Sequence, residues 1–307
     1  MSNFQSVKSP KIKPGKRAFV NSPFPWLLPL GLILTFVFVY PIFEIIRLSF
    51  TDASLLGSDY SYTTESYGRL FGQSEFFSML LITAIFVSFS VVFQLFFGFI
   101  IAFLIDQGQK LDLKGTVIVR TSVLTAWAIP GVIIGIIWRV MYTETEVGIF
   151  NSLVGMMGMD LIPFLSDPTI ALISVIVANV WRGTAFSMIL IYAAIQTLPN
   201  DVMEAAKIDG ANGLQRLFKV MLPMLAPIIL VTLIIISIDT FNTFDMVMAL
   251  TGGGPGQSTE VIALSIYTTI FREFNLGQGA ATSVVLLSIN VIMTLVYLKI
   301  LGRQGEK

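Results

Sequence analysis

The stretch LPNDVMEAAKIDGANGLQRLFKVMLPMLAPIILVTLIIISIDTFNTFDMVMAL, residues 198–250, holds the two features that decide the fold. Its first half is polar and punctuated. Its second half, Leu225–Leu250, is an apolar run broken only by Asp239 and Asp245. A helix needs roughly 20 mostly apolar residues to cross about 30 Å of hydrocarbon. Working outward, runs of that kind recur at Trp26–Phe50, Phe77–Ile105, Val117–Tyr142, Ile170–Ile195 and Ala280–Leu301, which predicts six spans in all. Backbone polar groups in lipid must be satisfied within the segment, so the fold expected is an all-α polytopic membrane bundle. The first run is too long for a cleaved leader and has no small-residue cleavage site, so it is expected to stay as a span.

Composition agrees. Of 307 residues 55% are hydrophobic, 12% aromatic and only 12% charged, where a soluble domain carries about 25% charged. Nineteen basic and nineteen acidic residues cancel, so net charge is silent about partners. The chain has no cysteine and no histidine. Disulfides, thiolate chemistry, imidazole acid–base catalysis and the common zinc and haem sites are thereby excluded.

Where the basic residues lie sets the orientation. Lys8, Lys11, Lys13, Lys16 and Arg17 precede the first span, Lys110, Lys114 and Arg120 follow the second, and Lys207, Arg216 and Lys219 follow the fourth. Lys299, Arg303 and Lys307 close the chain. The intervening loops hold only Arg69 and Arg272, against acids such as Asp52, Asp59, Glu65, Glu75, Glu144, Glu146, Asp160 and Asp167. Both termini are expected in the cytoplasm. The tail up to about residue 22 is rich in Lys, Pro and Ser and reads as disordered, or as an anchor to anionic lipid.

Between the fourth and fifth spans the polar half of the opening stretch predicts two short helices. Pro199, Asn200 and Asp201 open the first, with Glu204 three residues after Asp201 in a capping-box arrangement, and Asp209-Gly210 stops it. Leu214, Leu217, Phe218 and Met221 follow at helical spacing, and Pro223 and Pro227 are expected to close the second helix before the fifth span. Such an amphipathic pair suits a partner's groove or the headgroup layer; periodicity alone leaves both open.

The run Glu204-Ala205-Ala206-Lys207-Ile208-Asp209-Gly210-Ala211, followed by Phe218-Lys219-Val220-Met221-Leu222-Pro223, resembles the EAA motif of ABC importer permeases. The resemblance implies a type I importer permease fold. It also implies that Glu204, Ala205, Ala206, Asp209, Gly210, Ala211 and Pro223 belong to a coupling loop (198–224) that docks on a separate ATPase subunit. Thr251-Gly252-Gly253-Gly254-Pro255-Gly256 resembles the run that follows the fifth span in carbohydrate permeases of the maltose-permease-like side of the heterodimer. Trp138, Gly148-Ile149-Phe150-Asn151 and Val180-Trp181-Arg182-Gly183 are similar to that group too. The likeness covers about residues 25–300. It departs from the enterobacterial maltose subunit, which has extra spans and a large insert where this chain has about 26 residues between spans one and two.

No G-x-x-x-x-G-K-[ST] occurs, so no phosphate cradle is expected here. The Thr251–Gly256 run lacks lysine and contains Pro255; it reads as a tight turn or an external loop. ATP and Mg are expected on partner subunits, and none of the chain's own residues is expected to hold a cofactor or metal.

Charges inside spans are costly and usually face a bundle interior or a cavity. Arg182 falls near the middle of the fourth span, Asp239 near the middle of the fifth, and Asp245 nearer its outer end. Arg182 and Asp239 are expected at similar depth, facing one cavity, pairing or binding hydroxyls. Asn242 and Thr243 share the face of Asp239, and Thr240 and Thr243 form a second polar pair. By the same resemblance, Arg182, Gly183, Phe186, Asp239, Thr240 and Thr243 fall where the maltose-type permease meets sugar. With Asn242 they make the expected substrate path, and Phe186, Phe241 and Phe244 could supply an aromatic face. Glu44 and Arg47 read as a surface or snorkelling pair.

The chain is thus expected to divide into a cytoplasmic basic tail (1–24), a six-span permease domain (25–302) and a short tail (303–307). It carries no covalent chemistry of its own. Its expected partners are a second homologous permease, two ATPases, an external solute-binding protein, a sugar and membrane lipid, without nucleic acid, in a bacterial or archaeal plasma membrane. A permease for polyamine or phosphate is the nearest rival. An ion-coupled transporter would leave the EAA-like loop unexplained, and a membrane enzyme would lack His, Cys or a nucleophile constellation to work with.

Overall fold

The computed structural model describes residues 23–305, which fall into two compact units dividing after Arg47. The basic tail, with the disorder or lipid anchoring expected of it, lies almost wholly outside the described residues.

In the first unit α1 (Pro23–Leu34) runs through a π-helical turn (Thr35–Val39) into α2 (Tyr40–Ser49). Trp26–Ser49 is long and apolar enough to cross a membrane. Its large side chains are exposed nearly throughout, as on a helix solvated by lipid: Trp26, Phe36, Phe38 and Phe43 all stand out. Glu44 and Arg47 form the expected ion pair, with Arg47 Nε donating to Glu44 Oε2 at 2.9 Å.

In the second unit come α3 (Glu65–Gly72), α4 (Ser74–Lys110), α5 (Thr116–Ala128), α6 (Gly131–Met141) and α7 (Ile149–Met156). They are followed by α8 (Pro168–Gln196), α9 (Asn200–Ile208), α10 (Gly213–Arg216), a π turn (Leu217–Met221), α11 (Leu222–Phe241) and α12 (Asp245–Leu250). Last are α13 (Ile262–Phe271) and α14 (Leu276–Gly305). The described residues form no sheet, only isolated bridges at Thr51–Tyr62 and Ser54–Asn275. Among the described residues five helices are long and apolar enough to span, and there are six spans if α5 and α6 count as one.

The continuous third span expected over Val117–Tyr142 is not formed: α5 and α6 meet at a 103° bend. Pro130 is the cause. It removes a donor and pushes Ile129 out of the helical region to φ −79°, ψ 130°. The fifth span is also shorter than expected. It ends at Phe241, where Asn242 leaves the helical conformation at φ −92°, ψ 3°; at the break Asn242 Nδ2 donates to Ile238 O (2.7 Å) and Thr243 Oγ1 to Asp239 O (3.0 Å).

The central pair is α4 and α8, the most extensive helix contact in the unit. Ser90, Gln94, Gly98 and Ala102 recur every fourth residue along the buried face of α4. Gln94 Nε2 donates to Asn179 O at 3.2 Å and its side chain lies flat over Gly183. One turn on, a Cβ at Gly98 would sit 2.5 Å from Ser187 Cβ. Matching contacts at 94/183 and 98/187 mean that the helices run parallel, their backbones drawn together by small residues as lipid-embedded pairs require. Gly98→Leu should therefore prise α4 from α8. Overpacking costs about 1–3 kcal/mol, so the purified variant should melt several degrees lower in detergent; an unchanged Tm would contradict this packing.

Candidate functional site

The hairpin α9–α10 is encoded locally, though not as the capping pattern suggested. Pro199 takes the N-cap position and no side chain caps α9, so the expected Asp201–Glu204 capping box is absent. Asn200 and Asp201 already lie in the first turn, where Asp201 complements the helix dipole. The exit is fully specified. Gly210 adopts φ +81°, its N–H donates to Lys207 O (3.1 Å), and Ala211 N–H donates to Ala206 O (3.0 Å). These are the two bonds of a Schellman stop, and only glycine takes that backbone cheaply. Two residues on, Asn212 Oδ1 accepts from Gln215 N–H and Gln215 Oε1 from Asn212 N–H, both at 2.9 Å. The capping box sits here.

Pro223 and Pro227 do not close α10. Leu222 N–H reaches Leu217 O across the π turn, and Pro223 falls in the first turn of α11, where a missing N–H costs nothing. Gly213–Phe241 is one rod of 29 residues. On the hairpin Ile208, Leu214 and Phe218 are exposed, an apolar edge beside exposed Glu204 and Ala205. Between the hairpin and the end of α4 lies a groove of about 550 Å³, lined among others by Phe103, Gln107, Lys110, Glu204, Lys207 and Leu217.

At the other end of that rod two helix breaks meet. Asp245, first residue of α12, lies against Gly131, first residue of α6. A Cβ at Gly135 would come within 2.6 Å of Met246 O, so α6 and α12 touch backbone to backbone. Arg182, on α8, places Nη1 4.0 Å from Asp245 Oδ1, and its buried Nε makes no hydrogen bond. Of the two roles expected for Arg182 and Asp239, pairing or binding hydroxyls, the pairing is not formed. Asp239 remains exposed on α11, while the break at Asn242–Phe244 turns Asp245 toward α8. Gly183 is covered by Gln94; Thr240 and Thr243 are buried, with Thr243 N–H donating to Thr240 O; Asn242 is exposed at the break. Thus Asn242 and Thr243 form one of the two breaks, Arg182 meets its far side from unbroken α8, and Asp239 stands apart.

Sequence reasoning missed Trp127. It is 55% exposed in the last turn of α5 and packs on Phe186 with ring centroids 5.6 Å apart and planes 30° apart. Phe186 follows Arg182 by one helical turn, so the aromatic pair and the guanidinium share a face of α8. A tryptophan three residues before Pro130 was the available signal. Trp138 and Trp181 meet edge to face at 6.0 Å and line an apolar cavity of about 510 Å³ with Phe97, Val123 and Val177.

Other residues singled out in the sequence serve packing. Trp138, Tyr142 and Phe150 stack in one core, and Asn151, fully buried, ties Thr143 O and Ile162 O through Nδ2 and Ile162 N–H through Oδ1. Glu144 Oε1 accepts from Leu165 and Ser166 N–H in the same loop. Burial pushes the Glu144 carboxyl up, but those hydrogen bonds outweigh it and hold it below the usual carboxylate range. Its stabilising contribution is present above the ordinary glutamate pKa and lost as pH falls through the depressed one. Thermal melts at falling acidic pH should show the wild type losing stability that Glu144→Gln already lacks; identical pH profiles would refute that role. The Thr251–Pro255 run is a closed turn: Thr259, buried, hydrogen-bonds Thr251 Oγ1 (2.7 Å) and Gly254 O (2.8 Å), while Gly252 and Gly253 have positive φ. Among the described residues no acidic cluster could hold a metal ion.

Helices long and apolar enough to span, discontinuous helices meeting at a charged break, and a capped hairpin at the far end of one long helix are the architecture of a membrane transport component. Residues 94–303 match the family described as binding-protein-dependent transport system inner membrane component, and the chain belongs to it. The trehalose/maltose permease protein MalF of Thermococcus litoralis is 31% identical over 278 residues, covering 89% of this chain and 91% of that one. The sulfoquinovosyl glycerol permease protein SmoG of Agrobacterium fabrum is likewise 31% identical, covering 90% and 88%. The fold matches a chain of a bacterial ABC transporter importing the acidic polysaccharide alginate, with TM-score 0.80 over 94% of this chain and 96% of that one at 21% identity. The same kind of transporter has been solved with an alginate pentasaccharide-bound periplasmic protein.

Proposed function

We propose that this chain is one of two permease subunits of an ATP-driven importer for a saccharide. In this reading it pairs with a homologous permease, takes its energy from two separate ATPases that hold ATP and Mg, and receives solute from an external binding protein. Relatives whose names specify sugars support the substrate class. The observation that carries the reading is the meeting of two helix breaks, at Gly131 and Asp245, faced by Arg182 and flanked by the Trp127–Phe186 ledge. Charged hydrogen-bonding groups next to an aromatic face suit a molecule that is hydroxyl-rich on its edges and apolar on its faces. Arg182, Gly183, Phe186, Asn242 and Thr243 are assigned to this path, with Asp239 and Thr240 on the adjoining turn of α11.

The basic tail and the basic loops after the second and fourth spans favour cytoplasmic termini and a cytoplasmic hairpin, in a bacterial or archaeal plasma membrane. The Thr251–Pro255 turn is then external. It leads to Gly256, Gln257 and Ser258, which rim a polar cavity of about 680 Å³, and this side is the one proposed to receive solute from the binding protein. Residues 25–302 act as the permease domain, with 198–224 as its coupling loop.

Reconstitution with the partner subunits and binding protein tests the reading. Labelled di- or oligosaccharide should accumulate only with internal ATP and the binding protein present. Accumulation driven by an ion gradient with no nucleotide would overturn it, and ATP-driven uptake of polyamine or phosphate alone would overturn the substrate class.

A further inference from the structure

At the hairpin end of the unit a buried carboxylate joins the two central helices. Asp106, on α4, is 3% exposed. Its Oδ1 accepts from Gln196 Nε2 at 3.2 Å, and Gln196 is the last residue of α8. Its Oδ2 accepts from Lys110 Nζ at 2.7 Å and Gln107 Nε2 at 3.1 Å. A second tie runs alongside: Tyr192 Oη donates to Gln109 Oε1 at 2.6 Å, with the Arg120 guanidinium 5.6 Å over the Tyr192 ring. Gln107 and Lys110 line the hairpin groove together with Asn200, Glu204 and Lys207. Only Thr197, Leu198 and Pro199 separate Gln196 from α9.

The hairpin is covalently continuous with α8 on one side and α11 on the other. Nothing covalent joins it to α4. A buried charge survives only where its partners are fixed, and breaking one such bond strands the other group. The geometry points to Asp106 as a positioning residue that clamps α4 to the end of α8, so that hairpin displacement moves both helices as one body. The Gly98/Ser187 and Gln94/Gly183 contacts hold the pair together further along, which carries the shift toward Arg182. This inference rests on the hairpin being the point where the ATPases act.

The test uses the whole reconstituted importer and reads solute moved per ATP hydrolysed, with ATPase retention measured separately. Gln196→Ala should lower that ratio roughly fivefold or more, as loss of ordinary coupling between sites does, while the ATPases stay bound. Asp106→Asn, which turns an NH2 toward the Lys110 and Gln107 donors if Oδ1 stays on Gln196, should lower the ratio as well; Lys110→Ala, which removes only the half-exposed partner, should remain near wild type. Gln196→Ala with an unchanged ratio would overturn the clamp, and so would Gln196→Ala releasing the ATPases. Loss of coupling in Lys110→Ala equal to that in Gln196→Ala would overturn it as well, assigning the effect to charge. ATPases failing to bind the wild-type hairpin would instead defeat the coupling reading itself.

Discussion

Gly210→Val should abolish ATP-driven uptake while leaving the chain folded in the membrane. Gly210 sits at φ +81° and nothing lies within 4 Å of where its Cβ would be, so the substitution meets no clash. Its cost is purely conformational. A β-branched residue in the left-handed region loses about 1–3 kcal/mol, and conversion at about 1.4 kcal/mol per decade gives a roughly 5–150-fold shift away from the observed turn. The Lys207 O and Ala206 O bonds open, and α9 either runs on or frays. Melting of the spanning helices should be unchanged, because the hairpin contributes little buried apolar surface. Measuring uptake, ATPase retention and Tm together isolates the effect. Gly210→Val with wild-type uptake would show that the turn's shape is irrelevant to transport.

Arg182→Ala and Asp245→Ala should each bring uptake close to background. Either change leaves one charge in a bundle that offers no other close ion-pair partner among the described residues. Both side chains keep part of their surface, 20% and 31%, and lie 4.0 Å apart. The stability cost is therefore set near 1–3 kcal/mol, below the 3–5 expected of a fully buried pair. Transport should suffer more than stability, since Asp245 abuts the first residue of α6 and Arg182 shares its helix face with Phe186. Asp239→Ala, at an exposed position outside this pair, should lower uptake less. Transport by Asp245→Ala at wild-type rate would remove the two-break site from the pathway.

The long helices were readable because a lipid-solvated span needs nothing but length and apolarity; Trp26–Ser49 and Pro168–Gln196 match their expected limits within a few residues. The hairpin stop at Gly210 was equally plain, since a Schellman turn is a property of consecutive residues. Breaks were harder. Apolarity over Val117–Tyr142 continues straight through Pro130, so hydropathy concealed the 103° bend. At Asn242 the helix ends with no proline or glycine to mark the place, so helical periodicity runs straight through the break. Depth along a straight span left a pairing of Arg182 with Asp239 open, and the break brings Asp245 across instead. Pro223 and Pro227 looked like stops, yet a π turn absorbed the first and the rod continued. The α4–α8 seam was invisible because Ser90, Gln94, Gly98 and Ala102 are scattered among aromatics that face the lipid.

The chain has no cysteine, so a single one at Ala205, exposed on α9, is a clean reporter of where the ATPase acts. In the assembled importer, Ala205→Cys should cross-link to the ATPase subunit through a short bifunctional reagent, at a rate that changes when ATP binds. Cross-linking to no ATPase subunit while transport continues would contradict entry of the driving force through the hairpin.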